Sequence, residues 1–372
     1  MNKTSTRQIP WWEPLIGDSA QRLVHDVVAS NFVNDGEVTT AFENKIAGLL
    51  GCKYAVGVTS GTCALFCSLK ALDIGVGDEV IVPDATFIAT VHAVTMTGAT
   101  PVLVDIDPRS LTMAPQSFER AITNRTRAVI PVHVSGRAAD MRSIMRIADD
   151  RGVAVVEDAA EAFMSKANNR YLGTIGKLGC FSFSPLKVIT TGQGGLVVTD
   201  DAGLHGRLRE IKDQGRRVRS TGVDTTISAV GYNFKLTNMQ TALGLGQLEN
   251  LEWRLQQMRR LYRGYAKGLA GIKQVTLPGF NVDEGELPLW TDALAERRDD
   301  LNAFLKVRGI DCRTFWKPIH TQPAYRASDS NFPHAVDSLA KAIWLPAAFS
   351  LTDADVATVC SAIAEFYDGV RR

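Results

Sequence analysis

The sequence alternates short apolar segments with helical segments over much of its length, and this alternation constrains the fold most. From residue 54 onward, runs rich in Val and Ile are separated by segments of helical period. The runs predicted as strands cover residues 54–58, 79–82, 101–105, 127–133, 153–157, 179–184 and 195–199. Apolar strands that alternate with helices form a mostly parallel sheet with helices on both faces. The sequence therefore predicts an α/β protein.

The chain is long enough for two domains, and its pattern changes in the C-terminal third. A chain of 372 residues exceeds the length at which one hydrophobic core keeps growing. Thr237 opens a long helical stretch with Gln240 three residues later, which is a capping-box pattern. Beyond it, the pattern predicts strands within 287–294 and 310–313, a helix over 297–308 and a last helix from Thr352. We therefore expect a large domain over residues 1–245, with an N-terminal helical segment, and a smaller C-terminal α/β domain over residues 246–372 that includes the linking helix.

Charge balance, cysteine usage and apolar runs exclude several classes of protein. The 41 Lys and Arg against 40 Asp and Glu leave a formal charge of +1, so no overall field favours nucleic acid or an anionic membrane as a partner. Six Cys without paired spacing predict reduced, cytoplasmic thiols and no metal site. The first residues lack the apolar core of a secretory signal. The uncharged stretch 85–104 contains five Thr, a His, a Gly and a Pro, which is atypical of a membrane span.

The residues that follow the predicted strands indicate the function, because an open α/β sheet binds ligands beyond the carboxyl ends of its strands. No GxGxxG follows a strand and no GxxxxGK[ST] occurs, which argues against a nicotinamide enzyme and a P-loop kinase. After the first strand, Ser60, Gly61 and Thr62 precede an apolar helix. Free N–H groups and the positive end of the helix dipole favour an anion such as phosphate there. An ordinary Ser N-cap is the alternative interpretation.

An acidic residue follows a strand that is predicted to be buried on both faces. Asp158 comes directly after the run 153–157 and is followed by two Ala. A buried carboxylate needs a partner, and either a protonated heterocycle or a structural salt bridge would serve. The small Ala side chains leave room for a flat ring beside Asp158. Phe87, after another strand, is a candidate to cover the opposite face of that ring, with core packing as the alternative.

A single lysine is predicted to lie between two apolar strands. Lys187 follows the run 179–184 and precedes a glycine-rich bend. Most lysines are solvated, but burial disfavours the charged ammonium and makes the amine a candidate nucleophile for a Schiff base. Ser182 adds a hydroxyl near the predicted anion site. Asn233, just before the long helix, would ordinarily be a loop or capping residue.

Together these residues match the needs of pyridoxal 5'-phosphate, which requires an amine, an acid for its pyridine nitrogen, an aromatic cover and a phosphate site. The segments TSGTCAL, EDAAEAF, FSFSPLK, ITTGQGG and GYNFKLTNMQTALGLGQLE, in this order, resemble the nucleotide-sugar aminotransferases of the DegT/DnrJ/StrS type. The resemblance extends from IPWWEP to the last helix. It implies fold type I of the aspartate aminotransferase superfamily, with a mostly parallel seven-stranded sheet in the large domain. It also implies that pyridoxamine 5'-phosphate is the alternate form of the cofactor.

The resemblance assigns roles to the candidate residues. Lys187 and Asp158 are the implied catalytic residues, with Lys187 bonded to the cofactor aldehyde and Asp158 paired with the pyridine N–H. Phe87 and Ala160 are implied to cover the two faces of the ring. The residues implied to hold the phosphate are Ser60, Gly61, Thr62, Ser182 and, from the neighbouring subunit, Asn233. The expected assembly is therefore a homodimer with shared active sites.

The substrate is also suggested by resemblance. The segments KVITTGQGG and FWKPIHTQP resemble members that act on nucleotide-linked 4-keto-6-deoxy sugars, the GDP-perosamine synthase type, with L-glutamate as amino donor. Glu161 and His320 are implied to contact the hexose, and a helix-start charge and a capped loop are the alternatives. Arg219, with Lys212 and Arg216, is a candidate for the diphosphate, with a solvated loop as the alternative.

Other functions on the same scaffold also fit the sequence. They are amination at C3, a UDP- or dTDP-linked substrate, and a non-catalytic protein of this fold. A sugar dehydratase of this family would carry His in place of the lysine, so Lys187 argues against that reaction.

Overall fold

The structure, a computed structural model, describes residues 8–216, 227 and 229–369. The helices of the described chain are α1 (Asp18–Ala29), α2 (Glu37–Leu50), α3 (Gly61–Ala71), α4 (Ile88–Met96), α5 (Pro115–Ala121), α6 (Met141–Arg151), α7 (Ala202–Lys212), α8 (Asn238–Leu248), α9 (Leu251–Leu269), α10 (Arg298–Val307), α11 (Pro333–Lys341) and α12 (Asp353–Gly369). The strands are β1 (Tyr54–Val58), β2 (Glu79–Pro83), β3 (Thr100–Val104), β4 (Thr126–Val129), β5 (Ala154–Asp158), β6 (Lys166–Ala167), β7 (Arg170–Tyr171), β8 (Leu178–Ser182), β9 (Gly195–Thr199), β10 (Val275–Thr276), β11 (Thr291–Ala295), β12 (Arg313–Thr314) and β13 (Ala342–Leu345).

The large sheet has the seven strands predicted from the apolar runs. Their order is β1-β9-β8-β5-β4-β2-β3. The neighbours from β8 to β3 pair in parallel, whereas β9 runs antiparallel to both β1 and β8. Leu196 and Val198 of β9 belong to one apolar cluster and Val197 to another. This period of two places core on both faces of the sheet, which explains why its strands have continuous apolar sequences. The prediction of a mostly parallel α/β fold is confirmed.

One predicted strand is shorter in the structure than in the sequence-based expectation. Residues 127–133 were expected as one strand, but β4 ends at Val129. Pro131 has no N–H to donate to a neighbouring strand, so the regular pairing stops there. A single bridge between Val132 and Asp158 follows. The chain then turns through residues 134–136, which lie beside the end of β5.

The C-terminal part forms a second, antiparallel sheet in the order β10-β11-β13-β12. It packs with α9, α10 and α12 around its own apolar cluster. The capping box of Thr237 and Gln240 is present, as predicted. The expected single linking helix is instead two helices, α8 and α9, because Asn250 leaves the helical conformation at φ −105° and ψ 21°.

The N-terminal segment joins the C-terminal sheet region. The Ile9 N–H donates to the Gly309 carbonyl at 2.9 Å, and the Ala347 N–H donates to the Trp11 carbonyl at 2.8 Å. The division of the chain at residues 245 and 246 stays a prediction. In the described ranges, no helix combines the length and the apolar character that a membrane crossing requires.

Candidate active site

A cavity of about 630 Å³ lies at the carboxyl ends of β1, β2, β5 and β8. The large sheet supplies one side of it, and Trp11, Trp290, Arg313, Trp316 and Trp344 supply much of the other. Among the residues predicted from the sequence, the cavity brings together Ser60, Gly61, Thr62, Phe87, Asp158, Ala160, Glu161, Ser182 and Lys187. These residues come from distant parts of the chain, and the parallel strands deliver them to one edge of the sheet.

The start of α3 forms one end of the cavity. Ser60 is the N-cap, with an extended backbone and its Oγ accepting from the Cys63 N–H at 3.1 Å, so the capping interpretation is correct as well. Gly61 lies against Ser182, and a Cβ on Gly61 would come within 3.1 Å of the Ser182 Cβ. A Cβ on Gly195 would come within 2.2 Å of the Ser60 carbonyl oxygen, so only glycine fits there. Unpaired N–H groups of a helix start beside two hydroxyls suit a bound anion.

Asp158 ends β5 at the floor of the cavity. The Thr90 hydroxyl donates to its Oδ2 at 2.7 Å, and the Ala160 N–H donates to its Oδ1 at 3.1 Å. Burial raises the pKa of Asp158, while these two hydrogen bonds and the charge of Lys187 lower it. A cationic ligand group beside it would hold the carboxyl in its charged form. Sequence reasoning missed Thr90, although Thr86 and Thr90 after β2 have the i,i+4 spacing that brings their hydroxyls within 2.7 Å.

Lys187 lies in the turn after β8, with its side chain 12% exposed. Its Nζ is 3.5 Å from Glu161 Oε1 and 4.9 Å from the centre of the Trp290 ring. In the part of the chain that the structure describes, no other carboxylate lies within 4.0 Å of this amine. The Trp12 indole donates to the Pro185 carbonyl at 3.0 Å, which fixes the turn that carries Lys187. The amine is therefore positioned but weakly partnered.

Aromatic side chains from separate segments wall the cavity. The ring centres of Trp11 and Trp290 are 5.5 Å apart, and those of Trp290 and Trp344 are 4.8 Å apart. Phe87 is 54% exposed at the mouth, with its ring centre 6.4 Å from that of Trp316. The four tryptophans were not predicted, because no spacing in the sequence links residues this far apart along the chain. They make the deep part of the site apolar and restrict its access to water.

His320 does not line the cavity, so its position does not support the predicted contact with a hexose. Its buried ring has Nδ1 at 2.7 Å from Asp84 Oδ2 and Nε2 at 3.0 Å from Asp329 Oδ1, and it stacks on Phe332. Because both nitrogens are engaged, His320 instead ties the segment after β12 to the end of β2, as a structural residue does.

The basic stretch proposed for the diphosphate is also corrected in part. Lys212 is buried and donates to Glu43 Oε1 at 3.2 Å and to the Gly57 carbonyl at 3.1 Å, so it is not available to a ligand. Arg216 pairs with Asp213 at 3.5 Å. Arg219 lies outside the described residues.

Asn233 is exposed and forms a bridge with Asp213 rather than lining the cavity of its own chain. Its predicted role toward a neighbouring subunit is therefore not visible within one chain.

The site fits pyridoxal 5'-phosphate on three observations from this structure. A weakly partnered amine, a buried carboxyl that lacks a cation in direct contact, and a hydroxyl-lined helix start share one cavity. Together with the sheet order, this arrangement defines a pyridoxal-phosphate enzyme of fold type I.

Comparison with known proteins agrees with this class. Residues 14–364 match the DegT/DnrJ/EryC1/StrS aminotransferase family, and the chain belongs to that family. It is similar to GDP-perosamine synthase of Escherichia coli O157:H7, with 37% identity covering 97% of this chain and 99% of that protein. The structure of S. venezuelae DesV superposes with a TM-score of 0.91, 34% identity and coverage of 97% and 99% of the two chains. The pyridoxal-phosphate form of the putative sugar aminotransferase Spr1654 from Streptococcus pneumoniae gives a TM-score of 0.92, 25% identity and coverage of 98% and 100%. The predicted family, the aminotransferase class and the cofactor are therefore confirmed.

Proposed function

We propose that this protein transfers the amino group of L-glutamate to C4 of a nucleotide-linked 4-keto-6-deoxy sugar, giving a 4-amino sugar nucleotide. The observation that carries this proposal is the meeting of Lys187, Asp158 and the start of α3 in one cavity. The full-length similarity to GDP-perosamine synthase of Escherichia coli O157:H7 supports a GDP-linked sugar. The product is then a glycosyl donor of the kind used for perosamine in O-antigen lipopolysaccharide.

The residues that hold the cofactor follow from the lining of the cavity. Lys187 would bond its aldehyde, Asp158 would pair with its ring nitrogen, and Phe87 and Ala160 would cover its faces, since all four line the cavity. Its phosphate would be held at the start of α3 by Ser60, Gly61, Thr62 and Ser182. When bound, the cofactor supplies the electron sink for the charge left as the Cα proton departs.

The side chains of this chain perform the proton transfers. Lys187 Nζ takes the proton from Cα of the amino donor. It delivers this proton to C4', the aldehyde carbon of the cofactor, since one flexible amine reaches both atoms in a small site. Thr90 and the Ala160 N–H orient Asp158, and the carboxylate held in this way would pair with the ring nitrogen. Trp11, Trp290, Trp316 and Trp344, which together form a tryptophan wall, would keep water away from the Lys187 amine during the reaction.

The assembly that we propose is a homodimer in which Asn233 serves the neighbouring subunit. Asn233 is exposed and does not line the cavity of its own chain. Phe32 and Val230 are 79% and 84% exposed, and a second copy of the chain would cover such apolar side chains. Mixing inactive Lys187→Ala and Asn233→Asp subunits should restore part of the activity, because one site of the mixed dimer then has both native residues. No recovery would contradict the shared site.

A cytoplasmic location is part of the same proposal. All six cysteines are free thiols in the structure, which fits a reducing compartment.

The substrate is tested by incubating the enzyme with L-glutamate and 4-keto-6-deoxy sugars linked to GDP, UDP or dTDP. We expect mass spectrometry to detect the 4-amino product with the GDP-linked sugar, and no product with Lys187→Ala. A preference for UDP or dTDP would contradict the nucleotide assignment. Amination of none of them would overturn the proposed function.

A further inference from the structure

Glu161 is the one acidic side chain in contact with the Lys187 amine among the described residues, and its other oxygen is held from the protein side. Glu161 Oε1 lies 3.5 Å from Lys187 Nζ, at the outer limit of hydrogen-bond distance. Glu161 Oε2 accepts from the Ser135 backbone N–H at 2.9 Å. Glu161 is only 7% exposed, so its carboxyl has little access to bulk water for proton exchange. One oxygen is thus fixed while the other faces the amine.

Ser135 holds an unfavourable backbone conformation in order to make this contact. Its φ of 53° and ψ of 19° lie in the left-handed region, which costs a non-glycine residue energy. Its Oγ donates to Asp292 Oδ1 at 2.7 Å, and its carbonyl accepts from the Leu289 N–H at 2.9 Å. Arg137 in turn donates to Asp292 Oδ2 at 2.9 Å. Because the C-terminal segment fixes Ser135 from several sides, the Ser135 N–H stays aimed at Glu161.

The charges around Glu161 couple its proton to that of Lys187. Burial raises the pKa of Glu161 to about 6, and the positive charge of Lys187 acts in the opposite direction. When Lys187 loses its charge, that opposition disappears and Glu161 holds a proton more readily. The titratable and charged groups around this carboxyl are Lys187, Asp158 and Asp292, with Arg137 in contact with Asp292 and His133 close to Asp158.

We propose that Glu161 is a further catalytic residue, which exchanges a proton directly with Lys187; this inference rests on the proposed function. In the exchange, an N–H bond of the Lys187 ammonium breaks and an O–H bond forms at Glu161 Oε1, which leaves a neutral amine and a neutral carboxyl. The reverse transfer restores the ion pair, so no further reactant is needed. The neutral amine is the form that accepts the Cα proton, and the proton that Glu161 holds meanwhile returns to Lys187 after the Cα proton has been delivered.

The test compares Glu161→Gln, Glu161→Asp and the control Glu286→Gln in the full-length, cofactor-loaded enzyme. Gln keeps the size and an oxygen that can accept the Ser135 N–H, but it neither ionises nor exchanges the proton. Asp keeps the ionising group with a shorter reach. Glu286 is a matched control because it is also buried and accepts two backbone N–H groups, from Ala138 and Asn281, but does not line the cavity.

We expect Glu161→Gln to lower kcat for the half-reaction with L-glutamate by about 10²-fold, the usual size of a lost proton-transfer partner, with KM nearly unchanged. The acid limb of the pH–rate profile of Glu161→Gln should move to lower pH, because this variant lacks the Glu161 carboxylate that stabilises the Lys187 ammonium. The visible absorption band of the resting enzyme should titrate at lower pH for the same reason. Glu161→Asp should recover the native pH dependence and part of kcat, and Glu286→Gln should behave as wild type.

The proposal would be overturned if the pH–rate profile and the band titration of Glu161→Gln matched those of Glu286→Gln. Glu161 would then serve only as the acceptor for the Ser135 backbone N–H. The half-reaction and the absorption band do not involve the sugar. A wild-type enzyme that reacts with L-glutamate but aminates no keto sugar therefore contradicts the proposed function alone, while the Glu161 comparison still gives its answer.

Discussion

Two lysines that are largely shielded from water have opposite surroundings, one of them buried and the other partly buried. Lys212, at the end of α7, is 2% exposed at its side chain and has Glu43 at 3.2 Å, Asp35 at 3.4 Å and the Gly57 carbonyl at 3.1 Å from its Nζ. Lys187 is 12% exposed and has only Glu161, at 3.5 Å, among the described acceptors. The first ammonium is fully compensated for the loss of water, and the second is not.

The difference separates a structural lysine from a reactive one. A buried charge with several acceptors stabilises the fold and has no reason to lose its proton. A partly buried amine with one distant acceptor gives up part of that stability, and on our proposal the protein gains a nucleophile next to the cavity. Replacing each lysine in turn should therefore separate the loss of activity from the loss of stability.

The largest effect should follow removal of the reactive amine. Lys187→Ala should lower the rate of amine transfer by about 10⁴-fold or more, since on our proposal this one residue supplies both the covalent bond and the proton transfers. Its free energy of unfolding should be equal to or above that of wild type, because a weakly compensated, partly buried charge is lost. Steady-state assays and denaturant unfolding check both results. Substantial residual turnover would remove the distinction between the two lysines.

The opposite result is expected for the structural lysine. Lys212→Met should lower the free energy of unfolding by about 3–5 kcal/mol, because Glu43 and Asp35 are left buried near a missing charge. The kcat per folded molecule should stay near the wild-type value. Denaturant unfolding together with active-site titration measures the two quantities. A stable Lys212→Met protein with low kcat would show that Lys212 also acts in the site.

Replacing Asp158 should lower kcat, as replacing Lys187 does and replacing Lys212 does not. Asp158→Asn keeps an acceptor for Thr90 but loses the charge that, on our proposal, holds the ring nitrogen protonated. We expect a fall in kcat of about 10²–10³-fold, the size found when one electrostatic group is removed from a reaction site, and weaker retention of the cofactor. Activity assays and dialysis followed by absorbance report these effects. Turnover near the wild-type rate would assign the ring nitrogen to another partner.

The smallest effect is a pH dependence of stability. Burial raises the pKa of Glu161 from 4.5 to about 6, so the folded protein holds this proton over a range in which the unfolded chain has released it. The free energy of unfolding should therefore fall as pH rises from about 4.5 to about 6, by roughly 2 kcal/mol from this group. Asp158 and Asp292 act in the same direction.

Denaturant unfolding across this pH range isolates the contribution of Glu161. Glu161→Gln should lack its part of the slope, whereas Glu286→Gln should keep it. Equal slopes in all three proteins would mean that the Glu161 carboxyl is not held in a raised-pKa environment.

The sequence predicts the sheet and the cofactor side of the cavity because both depend on local patterns. Strands buried on both faces are continuous apolar runs, and the residues that follow parallel strands meet at one edge. Asp158 ends a strand, and Ser60 and Lys187 lie in the loops that follow strands at the same edge of the sheet, so their convergence is predictable.

The structure places two candidate substrate residues, Lys212 and His320, in contact with partners that are distant in the chain rather than in the cavity. Lys212 meets Glu43, 169 residues away, and His320 meets Asp84, 236 residues away. No local pattern distinguishes such paired groups from ligand-binding ones. The tryptophan wall was missed for the same reason, since Trp11, Trp290 and Trp344 assemble only when the N-terminal segment joins the second sheet.

The central claim is that Lys187, and not the better-partnered Lys212, is the amine that bonds the cofactor. Borohydride reduction of the pyridoxal-phosphate-loaded enzyme, followed by digestion and peptide mass spectrometry, tests it directly. The account predicts one phosphopyridoxyl group per chain, on the peptide that contains Lys187. A modification on another lysine, or a visible band that borohydride does not abolish, would contradict it.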